Sequence, residues 1–356
     1  MARILSTPIL SRRHALGAMA GLFAAAHLPP AFAAAAVEQK IRLSPPGGLY
    51  ELVFNRATGL VHVAAVGPRG GDQAAILALD PGTLEVKGSI PMADPAFGLA
   101  VNDRTGLLYT TNTRTGSVSI IDPREGRIVG SVVHGEKAHL RQAVVDPAAN
   151  RIYVSAPGFQ GAPSQVWVID GATHKLLSVI EEGLGEAATG LTLDAAGNRL
   201  FVTRLMANEV AEIDLSSGKV ARSFASGGES AVNAAYEAAN QRLFVTNQKS
   251  GNLAVLDATS GAVLKSIETG AGALSIALNP AKGLVLIANR GAGTVSVIDA
   301  GTLELRNSLA TGTHPNTIAF NAEGSIAYVT NKAKSAGRGQ PPIDDPNGDT
   351  VSLIRL

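Results

Sequence analysis

The sequence predicts an all-β fold: a seven-bladed β-propeller of four-stranded antiparallel blades, with its ring closed by an N-terminal strand in the last blade. Three observations predict it. The first is an internal repeat. Residues 107–122 read LLYTTNTRTGSVSIID, 243–257 read LFVTNQKSGNLAVLD, and 284–299 read LVLIANRGAGTVSVID. The second is the period. The Asp closing each VSVID-like strand stands at Asp80, Asp122, Asp170, Asp214, Asp257 and Asp299, with gaps of 42, 48, 44, 43 and 42 residues. Repeats of this length built from short strands mark propeller blades. The third is the pair of chain ends, which complete each other. The last copy stops at VSLIRL, one strand short, and the stretch 37–44 is strand-like but belongs to no complete repeat.

Each unit justifies its strands in the same order. An apolar stretch such as FGLAV at 97–101 forms the first strand, and LLYTTN and VSIID form the second and third. RIVGSVV at 127–133 forms the fourth. β-branched residues between Gly, Asn and Asp turns are strand and hairpin signals. The blades fall at about 49–92, 96–134, 139–182, 187–227, 231–270, 273–312 and 315–356, the last completed by 37–44. Pairing the first strand with the last removes an open edge. The repeat is continuous, so residues 34–356 are expected to form one domain.

Residues 1–33 read as an export signal. Ser11-Arg12-Arg13-His14-Ala15-Leu16 precedes a short apolar stretch, and Ala31-Phe32-Ala33 offers small residues for cleavage. The pattern is twin-arginine-like, with a general secretory signal as the alternative. Either route leads to the periplasm or the exterior. The mature chain is expected to have no membrane span. It also has no cysteine, which excludes disulfides, thiolate metal sites and a Cys nucleophile. Losing Arg3, Arg12 and Arg13 with the leader leaves 27 basic and 29 acidic residues, a net charge of −2. The whole molecule is therefore not a basic nucleic-acid binder, and an anion site must arise from uneven placement of charge.

Blade topology shows where to look. The loop between strands two and three opens on the same face as the loop leading into strand one. In five blades a cation lies within two residues of the end of strand two: Arg114, Arg204, Lys249, Arg290 and Lys332. Repetition predicts a partial ring of charge around one mouth of the channel. Lys334 lies near it in sequence. Arg141 with His139 begins blade three on the same face, and His314 precedes the first strand of blade seven. Tyr50, Phe97 and Phe159 supply aromatic rings near this rim. Cations beside rings suit a single strand of nucleic acid, because phosphates pair while bases stack. The competing reading is ordinary: Lys and Arg solvate turns, Tyr50 and Phe97 fill the core, and the loops of this face also carry Asp94, Glu136, Glu181, Glu182, Glu186, Glu229 and Glu268.

Other constellations point to structure. The strand-end Asp residues precede turns, where an Asp accepts backbone hydrogen bonds. Asn112, Asn247, Asn289 and Asn331 suit strand-to-turn transitions. Trp167, where other blades have Ser119, Ala254 or Ser296, is expected to fill a gap between blades. The histidines lack metal-ligand spacing, and no metal or cofactor is called for. Blade seven carries an insertion at about 332–349, in which Asp345, Asn347 and Asp349 have the alternating oxygens of a calcium loop without its Gly and Glu. A Pro/Gly loop is the simpler reading. No nucleophile elbow, HExxH or P-loop occurs. Propeller enzymes assemble their residues from several blades, so His139, Arg141, His314 and Asn316 stand as a candidate convergent set.

The segments YTTN, FVTR, FVTN and YVTN, each followed by a turn and a VSVID-like strand, resemble the YVTN-repeat β-propeller family, and the export signal points to its periplasmic YncE-like branch. Arg204 and Ala156 depart from the motif. The resemblance implies a non-enzymatic propeller with single-stranded DNA as a ligand. Together the readings give an exported binding module with its site at a cationic mouth. The alternatives are a lactonase- or lyase-type enzyme at the same mouth, or a scaffold for a protein partner.

Overall fold

The computed structural model describes residues 35–356 apart from 44, 46, 69–70, 136–137, 160, 337–339 and 341–342. The leader reading of 1–33 and the position of Glu136 lie outside the described residues. Seven four-stranded antiparallel sheets follow one another along the chain. Their innermost strands are Leu49–Asn55, Gly98–Val101, Ala143–Asp146, Ala188–Asp194, Ala231–Glu237, Ala273–Asn279 and Pro315–Phe320. Each packs against the next, and the first against the last, which closes the ring. No helix among the described residues is long and apolar enough to cross a membrane.

The seventh blade is shared by both ends of the chain. Ala36–Arg42 pairs antiparallel with Thr350–Arg355, from Ala36 opposite Arg355 to Arg42 opposite Thr350. Side chains hold the register. Arg355 donates to Glu38 at 2.6 Å, and Lys40 donates to Asn347 at 2.6 Å. The expected strand closure is what the fold uses.

Each neighbouring pair of blades shares its own apolar cluster. Phe201 and Val210 of blade four, for example, pack with Leu243 and Leu256 of blade five. Trp167 is fully buried in the cluster between blades two and three, with His134 edge-on at 5.7 Å. It fills a gap between blades, as expected.

The repeated motif has a mechanical explanation. Its Thr hydroxyl leaves its own blade and donates to a carbonyl of the next inner strand. Thr111 reaches Arg141 at 2.8 Å, Thr203 reaches Val232 at 3.1 Å, Thr246 reaches Leu274 at 3.0 Å, and Thr330 reaches Tyr50 at 2.6 Å. In blades two, four and seven the same oxygen accepts an inner-strand amide, from Gly98, Gly190 and Thr317. A hydroxyl can donate once and accept twice, so one atom staples two blades. The following Asn is buried, and in blades two and seven it bonds within its own hairpin. Asn112 donates to Ser117 and Ser119, and Asn331 to Thr350 and Ser352. The strand-end Asp accepts turn amides, as Asp257 does from Thr259 and Ser260. Gly98 and Gly190 stand where strands approach most closely. A Cβ at either would run into a neighbouring carbonyl oxygen, of Arg141 or Val232.

Thr246→Val is expected to keep the volume and lose the staple. It takes one of two side-chain donors from the Leu274 carbonyl, which keeps Asn233, and loss of such a bond costs about 0.5–1.5 kcal/mol. Urea unfolding checks this. A midpoint equal to wild type would mean the hydroxyl bond contributes nothing.

Candidate functional site: the channel mouth

The inner strands enclose an axial cavity of about 830 Å³. Its wall is polar at a recurring place near the mouth, in blades one, three, five, six and seven. Glu51, Gln142, Asn233, Ser275 and Thr317 line it there, with Gly98 in blade two. Several of these side chains reach across to a neighbouring blade. Glu51 accepts the Leu99 amide at 2.9 Å, Gln142 accepts the Leu191 amide at 2.7 Å, and Asn233 donates to the Leu274 carbonyl at 2.9 Å.

At one end of the cavity, four side chains from three blades form a ladder. The Arg114 guanidinium lies 5.6 Å from the Phe97 ring centre. Phe97 meets Tyr50 edge to face, with centres 4.6 Å apart and planes at 71°. The Lys332 ammonium lies 3.6 Å from the Tyr50 ring centre and donates to the Tyr50 hydroxyl. Tyr50 belongs to the inner strand of blade one, and Phe97 leads into that of blade two. Arg114 and Lys332 follow the second strands of blades two and seven. Tyr50 and Phe97 are half-buried on the channel wall. A cation over a ring gains about 0.5–1 kcal/mol when exposed and more when water is excluded.

Two arginines stand beside the ladder. Arg290 donates to Asn316 at 2.8 Å. Burial lowers its pKa, and the nearby Tyr50 phenol works in the opposite direction. Arg141 lies deeper. Burial lowers its pKa too; the Glu51 carboxylate opposes that effect, and Arg290 adds to it. Glu51 is the carboxylate among them. Burial raises its pKa from 4.5 to about 7, against the pull of the Leu99 amide and of Arg141. The side chain keeps some contact with the channel but is enclosed by its walls.

The five-membered ring expected from the repeat is not assembled. Arg290 and Lys332 line the channel, and Arg114 sits at its edge on Phe97. Arg204 turns to its own blade, where it pairs with Glu209 at 2.9 Å and donates to Ser223 at 3.1 Å. Lys249 is exposed and pairs with Glu229 at 2.5 Å. In those blades Leu205 and Gln248 face the cavity instead. The physical reason is local: each of the two cations has a carboxylate within reach, on the facing strand or the preceding loop. The candidate catalytic set also divides. His139, Arg141 and Asn316 line the channel, while His314 lines a separate groove. His139 is exposed and meets Phe159 edge-on at 5.6 Å.

The oxygens of the calcium-like segment already accept donors. Asp345 accepts from the Thr313 hydroxyl and from the amides of Lys334 and Asn347. Asp349 accepts from the amides of Leu49 and Ala333. This end of the insertion is fastened to the blades. No group of three metal-binding side chains occurs among the described residues.

At the far end of the channel Arg56 spans three blades. It pairs with Asp103 of blade two at 3.9 Å and donates to the Ala322 carbonyl of blade seven at 3.3 Å. Sequence reasoning missed Glu51. The available signal was a charged residue inside an otherwise apolar innermost strand, LYELVFN.

No family model matches the chain. It is a distant homologue of the uncharacterized protein YncE of Escherichia coli (strain K12), 31% identical over 198 residues, which is 53% of this chain and 55% of the relative. YncE of Salmonella typhi is 32% identical over 198 residues, with the same coverage. The chain spans about half the length of the curated relatives it matches. Among solved structures, Kuenenia stuttgartiensis hydrazine synthase superposes with a TM-score of 0.66 at 16% identity, covering 82% of this chain and 94% of that one. That likeness is one of fold alone. The chain is a seven-bladed β-propeller related to YncE.

Proposed function

We propose that this protein is an exported binding module, not an enzyme, and that it takes a single strand of nucleic acid at the channel mouth. One observation carries the reading. Arg114, Phe97, Tyr50 and Lys332 form a continuous cation–ring ladder, with Arg290 and Arg141 beside it and Glu51 as the carboxylate among them. Each ring of the ladder has a cation over it. Binding therefore exchanges partners: a base takes the ring face, and the released cation takes a phosphate. Both steps use the interactions that single-strand binders rely on. The net charge of −2 on the mature chain supplies no general attraction, so affinity must come from this mouth. Its place outside the cytoplasm is part of the same proposal, supported by Arg12-Arg13 and Ala31-Phe32-Ala33.

Salt dependence tests it. Three phosphate contacts, from Arg114, Arg290 and Lys332, predict a slope of about −2 in log K against log salt, at about −0.7 per contact. Replacing Arg290 and Lys332 by Ala is expected to flatten the slope by about 1.4. Lys249→Ala is expected to leave it unchanged, because that cation already has Glu229. Duplex of the same sequence should bind more weakly, since its bases cannot reach the rings. No measurable binding at low salt, or an unchanged slope in the double variant, would remove single-stranded nucleic acid as the ligand.

A second reading rests on Glu51. A carboxylate titrating near neutral pH beside a channel suits a general base, and a lactonase- or lyase-type reaction is the matching class. Turnover of a lactone or ester by the wild type, abolished in Glu51→Gln, would replace the binding reading with this one.

A further inference from the structure

We propose a second anion site, in the groove between the lips of blades six and seven, that takes a tetrahedral dianion: free phosphate or a phosphate monoester. The groove measures about 430 Å³ and lies apart from the axial cavity, sharing only Arg290 with it. Four segments meet there. The closing strand supplies Lys40, blade six supplies Arg290, the approach to blade seven supplies His314, and the insertion supplies Lys334. Lys40 and Lys334 form no ion pair among the described residues; Lys40 bonds the neutral Asn347 amide at 2.6 Å.

The charges facing His314 are uneven. Arg290, Lys334 and Lys332 act on it from blades six and seven, and Asp345 is the opposing acid. The Asp345 carboxylate is already engaged by the Thr313 hydroxyl at 2.9 Å, the Lys334 amide at 3.1 Å and the Asn347 amide at 3.2 Å. Cationic charge therefore exceeds anionic charge in a concave polar space.

The backbone adds neutral donors. Gly291 and Gly312 line the groove, and their amides donate to no protein group among the described residues. The Thr311 hydroxyl on the same wall is buried and has no partner. These two amides lie on separate segments of the groove wall, beside its cations, and are neutral donors that an anion can use. A dianion suits this surplus better than a single charge. Lys40 ties the site to the strand that closes the ring, so occupation is expected to raise thermal stability as well.

The inference does not rest on the channel reading. The test follows the His314 imidazole by NMR in a pH titration, with and without inorganic phosphate. Burial and then the surrounding cations lower the His314 pKa. A bound dianion offsets those cations, so phosphate is expected to move the midpoint up by about one unit. The paired variant Lys40→Ala and Lys334→Ala changes exposed side chains and should fold. It is expected to weaken phosphate binding about tenfold or more, as loss of two charge-assisted contacts implies. Arg114→Ala, at the channel, should leave phosphate affinity unchanged even where oligonucleotide binding falls. Methyl phosphate should bind and dimethyl phosphate should not. An unmoved His314 midpoint, equal phosphate affinity in the paired variant, or equal binding of the diester would overturn the proposal.

Discussion

A variant lacking residues 36–43 loses cooperative unfolding and aggregates; that is the expected result with the largest effect. The missing segment is the outer strand of blade seven. Removing it bares the backbone edge of Thr350–Arg355. It also removes the Arg355–Glu38 contact and the Lys40–Asn347 bond. Leu43 is buried in the cluster shared by blades seven and one, against which Ile41 packs, while Val37 packs on the cluster between blades six and seven. Full burial of a side chain such as Leu43 contributes about 1.5–3 kcal/mol, and half-buried Ile41 and Val37 add less, so with the lost strand pairing the loss is a large share of a typical domain's stability. The bared edge reads TVSLIR, β-prone and half apolar, which templates pairing with other chains. Calorimetry and light scattering check this. A synthetic peptide of residues 35–43 added in trans should restore part of the transition. A truncated protein that melts as wild type and stays monodisperse would mean that closure does not hold the ring.

The second large effect is a pH dependence hidden in the wild type. Glu51 has its pKa raised from 4.5 to about 7, chiefly by burial. The folded state therefore holds that proton more tightly than the unfolded chain. Stability falls as pH rises from 4.5 through 7, by up to about 3 kcal/mol. His62 has the opposite sign. Burial lowers its pKa from 6.5 to about 4, so the folded state prefers it neutral. Stability rises as pH climbs from 4 to 6.5, by a similar amount of about 3 kcal/mol. His139 and His314, also lowered, add in the same direction as His62. The two large slopes oppose each other over most of their range, so the wild type should vary little between pH 4.5 and 6.5.

Glu51→Gln is expected to unmask the histidine slope. The Gln carbonyl can still accept the Leu99 amide, and the charge penalty vanishes. Stability should match wild type near pH 4 and exceed it by about 2–3 kcal/mol at pH 8. Removing the histidine should do the reverse. His62 Nδ1 is buried without a partner, and the same place in other second strands carries Tyr109, Phe201 or Leu286. His62→Leu should leave stability falling from pH 4.5 to 7. Denaturant titrations at four pH values decide it. Parallel curves for wild type and Glu51→Gln would show that Glu51 titrates at its ordinary value.

Much of the channel was legible only in part. The loop cations Arg141 and Arg290 and the rings Tyr50 and Phe97 could be placed at one mouth, because blade topology carries equivalent loops to one face. Arg204 and Lys249 sit at equivalent repeat positions yet leave the site. Their partners Glu209 and Glu229 lie on neighbouring strands and loops, and periodicity says nothing about which charge reaches which. Glu51 was passed over because alternation treats a strand as having one wet face and one dry face. An innermost propeller strand instead faces a narrow channel, where a charged group is solvated yet walled in.

What the sequence determined by itself is whatever repeats. The period, the strand order and the turn-capping Asp act through hydrogen bonds close by, and the motif Thr repeats one contact to the next blade, so each copy states the same rule. The closing strand was legible for the same reason, since one copy lacked a strand and one strand lacked a copy. What only the tertiary structure decided is what differs between copies. Seven similar blades meet around one axis, and there a single side chain touches residues dozens of positions away. The cation–ring ladder, the enclosure of Glu51 and the groove holding Lys40, His314 and Lys334 arise from that convergence. Their energies depend on distance and burial, and neither is written in the spacing of a repeat.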